Sequence, residues 1–324
     1  VNLPRIGLGC MELSHAYGVP PSFEDGLRML RASLDAGVTF LDTATLYGAG
    51  RNEELVGAAI AGRRDEIVLA SKGGMAPVDG VKTIDGRPET LSAQVDASLQ
   101  RLGVDHIDLY YLHRWDPNVP IGDSVGALAD AVAAGKIGGI GLSEISVALL
   151  HEALAVAPIA AVQNEYSLWT RNAEIGMLEA TREAGAAFVA FSPVARGFLA
   201  DAVADPDAFA PKDIRRSHPR FMADNWPANA ALLPAWRALV AEAGCTPAQL
   251  ALAWVLSRGE HVVAIPGTTR IEHLREDLAA AEIVVDPTIL ARAGELISTA
   301  TVSGPRYNEA QSLEVFAETF EEVA

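Results

Sequence analysis

The sequence predicts a single (β/α)8 TIM barrel spanning residues 1–324, with a long loop after the seventh strand and extra helices at the C-terminal end. Three observations predict it. Eight short apolar runs are spread along the chain. Each is apolar on both faces, as a strand of a buried parallel sheet must be. An amphipathic helical pattern follows each run, and strands alternating with helices close into a barrel. An open doubly wound sheet is the alternative architecture.

The runs are RIGLG (5–9), VTFLD (38–42), EIVLAS (66–71), IDLYYLH (107–113), IGGIGLS (137–143), IAAVQN (159–164), AAFVAFS (186–192) and HVVAIPG (261–267). In the first gap Phe23, Leu27, Leu30 and Leu34 fall on one helix face, and Gly37 is placed to cap that helix. NEELVGAAIAG (52–62) follows the second run. PETLSAQVDASLQRLG (88–103) has Pro88 at its start and Gly103 at its end, the asymmetry helices favour. Helical stretches cover 124–135, 146–157, 172–185 and 230–258, and RIEHLREDLAA (270–280) follows the eighth run. One more helix is expected over 286–299, then a tail over 300–324 with a short helix. Residues 193–229 lose periodicity among Pro, Gly, Asp and Arg, and loops of that length are usually functional.

Composition narrows the function. A net charge of −17 argues against nucleic acid, which needs a basic face. No run of about 18 apolar residues suggests a membrane span. VNLPRIGLGC lacks the pattern of a secretory signal, and Cys10 and Cys245 form no disulfide framework. A cytoplasmic protein with a small-molecule partner is expected; homo-oligomerisation is left open. No metal is expected, because only His113 of the seven histidines falls at a predicted strand end.

In such a barrel the chemistry sits at the carboxyl ends of the strands. Those ends carry Asp42 with Tyr47 just beyond it, Lys72, His113, Ser143, Gln163 and Ser192. Singly, each has an ordinary reading: a turn aspartate, a packing tyrosine, a surface lysine, a core histidine. Together they make a site. A lysine after IVLAS is drawn into a low-dielectric pocket and needs a partner, which Asp42 supplies. Lys72 beside the Tyr47 hydroxyl favours the phenolate and is expected to lower its pKa, fitting Tyr47 to donate a proton to a substrate oxygen. His113 can hydrogen-bond the same oxygen.

These residues resemble the aldo-keto reductase family, whose active site is an Asp–Tyr–Lys–His tetrad on this barrel. The matching stretches are GLGCM (7–11), LDTATLYGAGRNEELVG (41–57), ASKGG (70–74), YYLHRWDPNVPI (110–121), GLSEIS (141–146), AAVQNEYSLWTR (160–171), FSPVARGFL (191–199) and IPGTTRIEHLRED (265–277). HRWDPNVP is similar to the branch that includes plant and microbial aldehyde and ketone reductases. The resemblance implies NADPH-dependent carbonyl reduction with Asp42, Tyr47, Lys72 and His113 as the catalytic set.

The resemblance also implies a cofactor site. Ser143, Glu144 and Gln163 would hold the nicotinamide carboxamide, and Phe191 would stack on its ring. Glu144 and Phe191 depart from the commoner Asn and Tyr, and an ionised Glu144 can accept but not donate. Ser192, Val194, Arg196 and the backbone at Gly197 would line the pyrophosphate. Gly267, Thr268, Thr269 and Arg270 lie at a helix N-terminus suited to a 2′-phosphate. Glu276 and Asp277 match the adenine-side positions, where Asn is commoner at the second. Cys10 and Met11 are expected at the mouth beside the cofactor. Met11, Tyr17, Arg114 and Trp115 are the substrate-pocket candidates; Arg114 either pairs with a loop carboxylate such as Asp116 or meets a polar or anionic substrate group. The basic run PKDIRRSHPR (211–220) is either a solvated face or a latch over the cofactor. The alternative function on this fold is a cofactor-binding regulatory subunit with little turnover. A dinucleotide-binding G-x-G-x-x-G fails, since Glu12 and Glu144 stand at its third glycine.

Overall fold

The computed structural model describes residues 1–14 and 16–320. In chain order the elements are β1 (Leu8–Gly9), α1 (Phe23–Asp35), β2 (Phe40–Asp42), α2 (Arg51–Ile60), β3 (Val68–Gly73), β4 (Met75–Val78), β5 (Val81–Ile84), α3 (Pro88–Leu102), β6 (Leu109–Leu112), α4 (Ile121–Ala133) and β7 (Ile140–Ser143). They continue with α5 (Val147–Leu154), β8 (Ile159–Glu165), α6 (Met177–Glu183), β9 (Ala187–Phe191), α7 (Trp226–Ala230), α8 (Leu233–Ala243), α9 (Pro247–Leu256), β10 (Val262–Ile265), α10 (Ile271–Ala279), α11 (Pro287–Leu296) and α12 (Glu309–Ser312).

Eight of these strands form one parallel sheet in the order β1-β2-β3-β6-β7-β8-β9-β10. The ends meet through parallel bridges Ile6–Ala264 and Gly9–Gly267, so the sheet closes into the expected barrel. Side chains alternate along each strand. Leu8, Leu41, Leu69, Tyr110, Leu142 and Val162 belong to the large core that also includes the helices' apolar side chains. Phe40, Ala70, Leu109, Tyr111, Ala161, Val189, Val263 and Ile265 fill the barrel interior. The same period-two step that puts Phe40, Ala70, Tyr111, Ala161 and Val189 inside carries Asp42, Lys72, His113, Gln163 and Phe191 to the interior side one layer higher. The interior packing therefore aims the site. Gly141 leaves room for it: a Cβ there would lie 2.2 Å from the Tyr111 ring.

The structure corrects several boundaries. The helix expected over 230–258 is two helices, because Gly244 takes a left-handed conformation (φ 67°) and Thr246 starts a new helix with a capping box and Pro247 in its first turn. The stretch 172–185 holds a short 3-10 turn and then α6. The antiparallel hairpin β4–β5 went unforeseen, although Asp79-Gly80, both at positive φ between Val78 and Val81, is a hairpin turn signal. The 193–229 loop is built from 3-10 turns and α7. Of the tail, α12 supplies the expected short helix, and 321–324 lie outside the described residues. Among the described residues no single helix is long and apolar enough to cross a membrane.

In the helical shell α2 packs closely against α3 at Gly57. A Cβ on Gly57 would lie 2.4 Å from the Leu102 carbonyl oxygen, and backbone cannot step aside as a side chain can. Gly57→Ala is expected to cost about 1–3 kcal/mol through overpacking, read from urea unfolding midpoints.

Candidate active site

Lys72 is fully buried at the end of β3. Its Nζ is ion-paired with Asp42 Oδ1 at the end of β2, donates to the Thr43 carbonyl at 3.0 Å, and lies 3.2 Å from the Tyr47 hydroxyl. Gln163 Nε2 donates to the other carboxylate oxygen, Asp42 Oδ2, at 2.8 Å. Asp42 is thereby held on both sides. Tyr47 reaches this point because the chain after β2 turns sharply: Gly48, Ala49 and Gly50 all have positive φ. Asn52 secures the turn by donating to the Cys10 carbonyl at 2.9 Å and Ser14 Oγ at 2.8 Å. Buried Glu53, accepting from Ser71 and Arg101, pins the start of α2 to β3 and α3. The His113 ring stands edge-on to the Tyr47 ring, centroids 5.9 Å apart.

Charge follows from this geometry. Burial alone would pull the Lys72 ammonium down; Asp42 and then Tyr47 outweigh it, and its pKa is raised. The Tyr47 phenol corrects the sequence expectation. Lys72 does pull it down, but burial pushes harder, and the net shift is upward. Tyr47 is therefore a neutral acid through the neutral range, and Lys72 acts on the phenolate left when the proton leaves.

Tyr47 and His113 open into a cavity of about 760 Å³ that runs along the carboxyl ends of the strands to the start of α10. Of the cofactor candidates, Met11, Ser143, Gln163, Phe191, Ser192, Val194, Arg196, Gly197, Gly267, Thr268, Thr269, Arg270, Glu276 and Asp277 line it, as do Tyr17 and Arg114 of the substrate candidates. The helix starts at Ile271, so Thr268, Thr269 and Arg270 precede its first turn rather than lie in it.

Three candidates sit elsewhere. Cys10 is fully buried behind the wall, its thiol toward the Leu8 carbonyl. Trp115 donates to the Val119 carbonyl and packs edge-on against Phe316 of the tail. Glu144 follows Ser143 by one residue and so turns to the other side of the strand end. There it pairs with Arg306 and accepts from the Glu165 backbone N–H at 2.7 Å. Arg306 Nε and Arg196 Nη2 meet Glu165 at 3.1 and 2.9 Å. Burial would raise the Glu165 carboxyl, but the two guanidinium groups hold it well below the usual carboxylate range. Arg196 also donates to Tyr17 and Tyr307, so much of its donor capacity is already used.

Arg114 and Asp116 do not pair. Arg114 donates to Ser143 Oγ at 3.1 Å and to the His113 carbonyl, while Asp116 accepts from Asn118 and the Gly86 N–H. The basic run divides. Arg220 is buried against the Trp169 carbonyl and Thr170, and burial pulls it down to about 10. Ile214 and Arg215 line the cavity; Ile214 N–H donates to the Ala16 carbonyl, Asp213 accepts from the Gly18 N–H, and Arg215 donates to the Arg196 carbonyl. This segment bridges the loops after β1 and β9.

The comparisons agree with this geometry. The sequence profile described as the Aldo/keto reductase family matches residues 5–297. The chain belongs to the aldo-keto reductase family. It is 39% identical to the Schizosaccharomyces pombe aldo-keto reductase yakc [NADP(+)], over 98% of this chain and 95% of that one. Among solved structures it is similar to the glycerol dehydrogenase AKR11B4 of Gluconobacter oxydans (TM-score 0.83, 28% identity, 94% of each chain). It is also similar to a Klebsiella pneumoniae aldo/keto reductase solved with NADP and acetate (TM-score 0.70, 28% identity, 94% of this chain and 95% of that one).

For this aldo-keto reductase, inspection of strand ends alone missed part of the cavity wall. Glu12, Leu46, Met75, Lys82, Arg215, His273 and Tyr307 also line it. Most come from loops, the hairpin and the tail, whose return to the mouth has no local sequence signal. His273 had one: it stands three residues after Arg270, one helical turn on. Among the described residues no group of three or more His, Cys, Asp or Glu is gathered as a metal site.

Asp42→Ala should destabilise the fold by about 3–5 kcal/mol, because it strands a buried ammonium. Adding Lys72→Met should recover much of that loss in a denaturant double-mutant cycle. Equal, additive losses would mean the two charges do not depend on each other.

Proposed function

We propose that this aldo-keto reductase uses NADPH to reduce an aldehyde or ketone to an alcohol, with Tyr47 as the proton donor. The observation that carries the reading is the buried chain Gln163–Asp42–Lys72–Tyr47, ending beside His113 at the wall of one cavity.

The residues fit the dinucleotide. Its two ends differ chemically, and so do the ends of the cavity. After β9, Ser192, Ala195 and Arg196 all have positive φ and Gly197 follows at φ 94°. Such conformations cost a non-glycine residue about 1–3 kcal/mol each and concentrate at functional sites. This tight turn, in which the Ala195 and Gly197 N–H groups are held by the Ser192 and Val194 carbonyls, would set the side chains of Ser192 and Arg196 and the Gly197 backbone against a pyrophosphate. Gly9 and Gly267 face each other across the barrel seam, where a Cβ on Gly9 would lie 2.9 Å from the Ile265 carbonyl. Thr268, Thr269, exposed Arg270 and His273 offer donors and positive charge for a 2′-phosphate. Ser143, Gln163 and Phe191 would hold and cover the nicotinamide. Because Gln163 Nε2 already serves Asp42, its carbonyl oxygen is the atom left to accept from the carboxamide. The yeast relative named for NADP(+) and the neighbours solved with NADP or NADPH support the choice of cofactor.

When bound, the reduced cofactor supplies the hydride. The chain supplies the rest. Tyr47 gives its proton to the oxygen as charge grows there, and Lys72 stabilises the resulting phenolate without moving, since Asp42 already fixes it. His113 orients the substrate oxygen. Met11, Tyr17, Leu46, Met75 and Arg114 would surround the rest of the substrate. The intact proton relay favours this reading over a regulatory subunit with little turnover, and aldehyde-dependent turnover separates the two. A cytoplasmic location and small-molecule carbonyl partners remain part of this proposal.

Four outcomes test it. A panel of aldehydes and ketones should consume reduced-nicotinamide absorbance, and a chain inert to the whole panel would remove the proposed reaction. Tyr47→Phe should bind NADPH normally by fluorescence titration and lose turnover by about 10²- to 10⁴-fold. For pH, the raised phenol pKa keeps the acid form through neutrality, so carbonyl reduction should hold level there and decline only on the alkaline side. Lys72→Met removes the cation that favours phenolate. Alcohol oxidation, which needs the phenolate as base, should then rise only at higher pH than in wild type; an unshifted profile contradicts the role.

A further inference from the structure

Arg114 is a cation that the fold leaves half used. It follows His113 just past the end of β6, is half-buried, and lines the same cavity as Tyr47 and Ser143. Its Nη1 donates to the His113 carbonyl at 2.6 Å and to Ser143 Oγ at 3.1 Å, and those two bonds hold the guanidinium in place. Nε is buried with no hydrogen-bond partner. Nη2 makes no hydrogen bond among the described residues either, and it is not closed off as Nε is. An unmet buried donor costs about 1–3 kcal/mol, so a group that satisfies it binds with that much in its favour. Nη2 and Nε lie on one edge of the planar guanidinium, the edge that meets both oxygens of a carboxylate in parallel.

Ion pairing sets Arg114 apart from its neighbours. The lysines and arginines lining the cavity are Lys82, Arg114, Arg196, Arg215 and Arg270. Lys82 pairs with Glu314, Arg196 with Glu165 and Arg215 with Asp213, while Arg270 lies 3.9 Å from Glu272. Among the described residues Arg114 is the one member of this group with no carboxylate within ion-pairing distance. The acid nearest to it in sequence, Asp116, is occupied by Asn118 and the Gly86 N–H.

The free edge lies close to the chemistry. The His113 ring, one residue back, stands edge-on to the Tyr47 ring, and the Arg114 charge reaches the Tyr47 phenol. On the carbonyl-reduction reading given above, on which this inference rests, an anion held by Arg114 sits a short spacer away from the oxygen that Tyr47 protonates. One unpaired guanidinium balances one negative charge. That favours a carboxylate over a phosphate monoester, which carries nearly two. We propose that Arg114 is a specificity residue that selects aldehydes and ketones carrying a carboxylate near the carbonyl. The chain's net charge of −17 repels anions at long range, so the preference arises in the bound complex and not from steering.

The test is a matched series assayed with NADPH: glyoxylate, succinate semialdehyde and glutarate semialdehyde, each against its methyl ester, for wild type, Arg114→Lys and Arg114→Gln. Each ester keeps the carbonyl and the spacer and loses the charge. In wild type the acid should have the higher kcat/KM for at least one spacer, with the difference in KM, as for binding shared by ground and transition states. Arg114→Gln should lower that acid-to-ester ratio about 10- to 100-fold, the loss of a hydrogen bond to a charged group. Arg114→Lys keeps the charge without the fork and should fall between the two. A residue that only braced Ser143 and the His113 carbonyl would lower acids and esters alike when replaced. Wild-type ratios at or below unity for every spacer, a comparison that needs no variant to fold, would overturn the proposal. So would a ratio that Arg114→Gln leaves unmoved; both results leave carbonyl reduction standing. No turnover of acids, esters or any neutral aldehyde or ketone would overturn the reduction reading along with it.

Discussion

The site depends on one buried charge. Lys72 has given up water entirely, and an unpaired ammonium at that depth would lose its proton or unfold the strand end. Asp42 prevents both, and Gln163 prevents Asp42 from turning away. A buried ion pair contributes little to net stability, because desolvation offsets most of its attraction. What the pair gains is a fixed positive charge in a low-dielectric pocket, already oriented toward the Tyr47 hydroxyl. A group that needs no reorganisation when the proton moves is the most effective kind of electrostatic catalyst.

The barrel is the means of holding that charge. Phe40, Ala70, Tyr111 and their neighbours fill the interior and leave the next layer up for polar side chains. Rigid packing below fixes the directions of Asp42, Lys72, His113 and Gln163 above. The loops close the rest. The segment around Asp213 and Arg215 joins the β1 and β9 loops, and the tail enters through Arg306 and Tyr307 onto Glu144, Glu165 and Arg196. That second charge cluster ties the tail to the strand ends, so the cavity wall and the barrel mouth form one hydrogen-bonded frame.

The strand ends were legible in the sequence because each is written locally, as an apolar run closing on a polar residue. Asp42, Lys72 and His113 fall at one mouth by local pattern alone, and the structure brings them together with Tyr47. Glu144 could not be placed this way. Its distance along the chain is right, but one residue past Ser143 reverses the side it faces, and its true partner, Arg306, lies 162 residues away. Cys10 and Trp115 failed similarly, being next to functional positions without sharing their direction. The β4–β5 hairpin was legible in Asp79-Gly80. The cavity-lining roles of Lys82 and Tyr307 were not, since nothing local says which part of the mouth a loop returns to; Arg215 lies in the basic run that left a place over the cofactor open. The direction of the Tyr47 shift needed depth as well as neighbours: a cation alone lowers a phenol, but burial reverses the balance.

The charge on Lys72 can be observed directly. The chain has four lysines, at positions 72, 82, 136 and 212, so side-chain nitrogen NMR can follow each ammonium through a pH titration. The account predicts that Lys72 keeps its proton beyond the ordinary lysine value of about 10.4, and that Asp42→Asn brings its titration down. A Lys72 that titrates below that value in the intact protein, or one indifferent to Asp42, would contradict the held charge on which the mechanism rests.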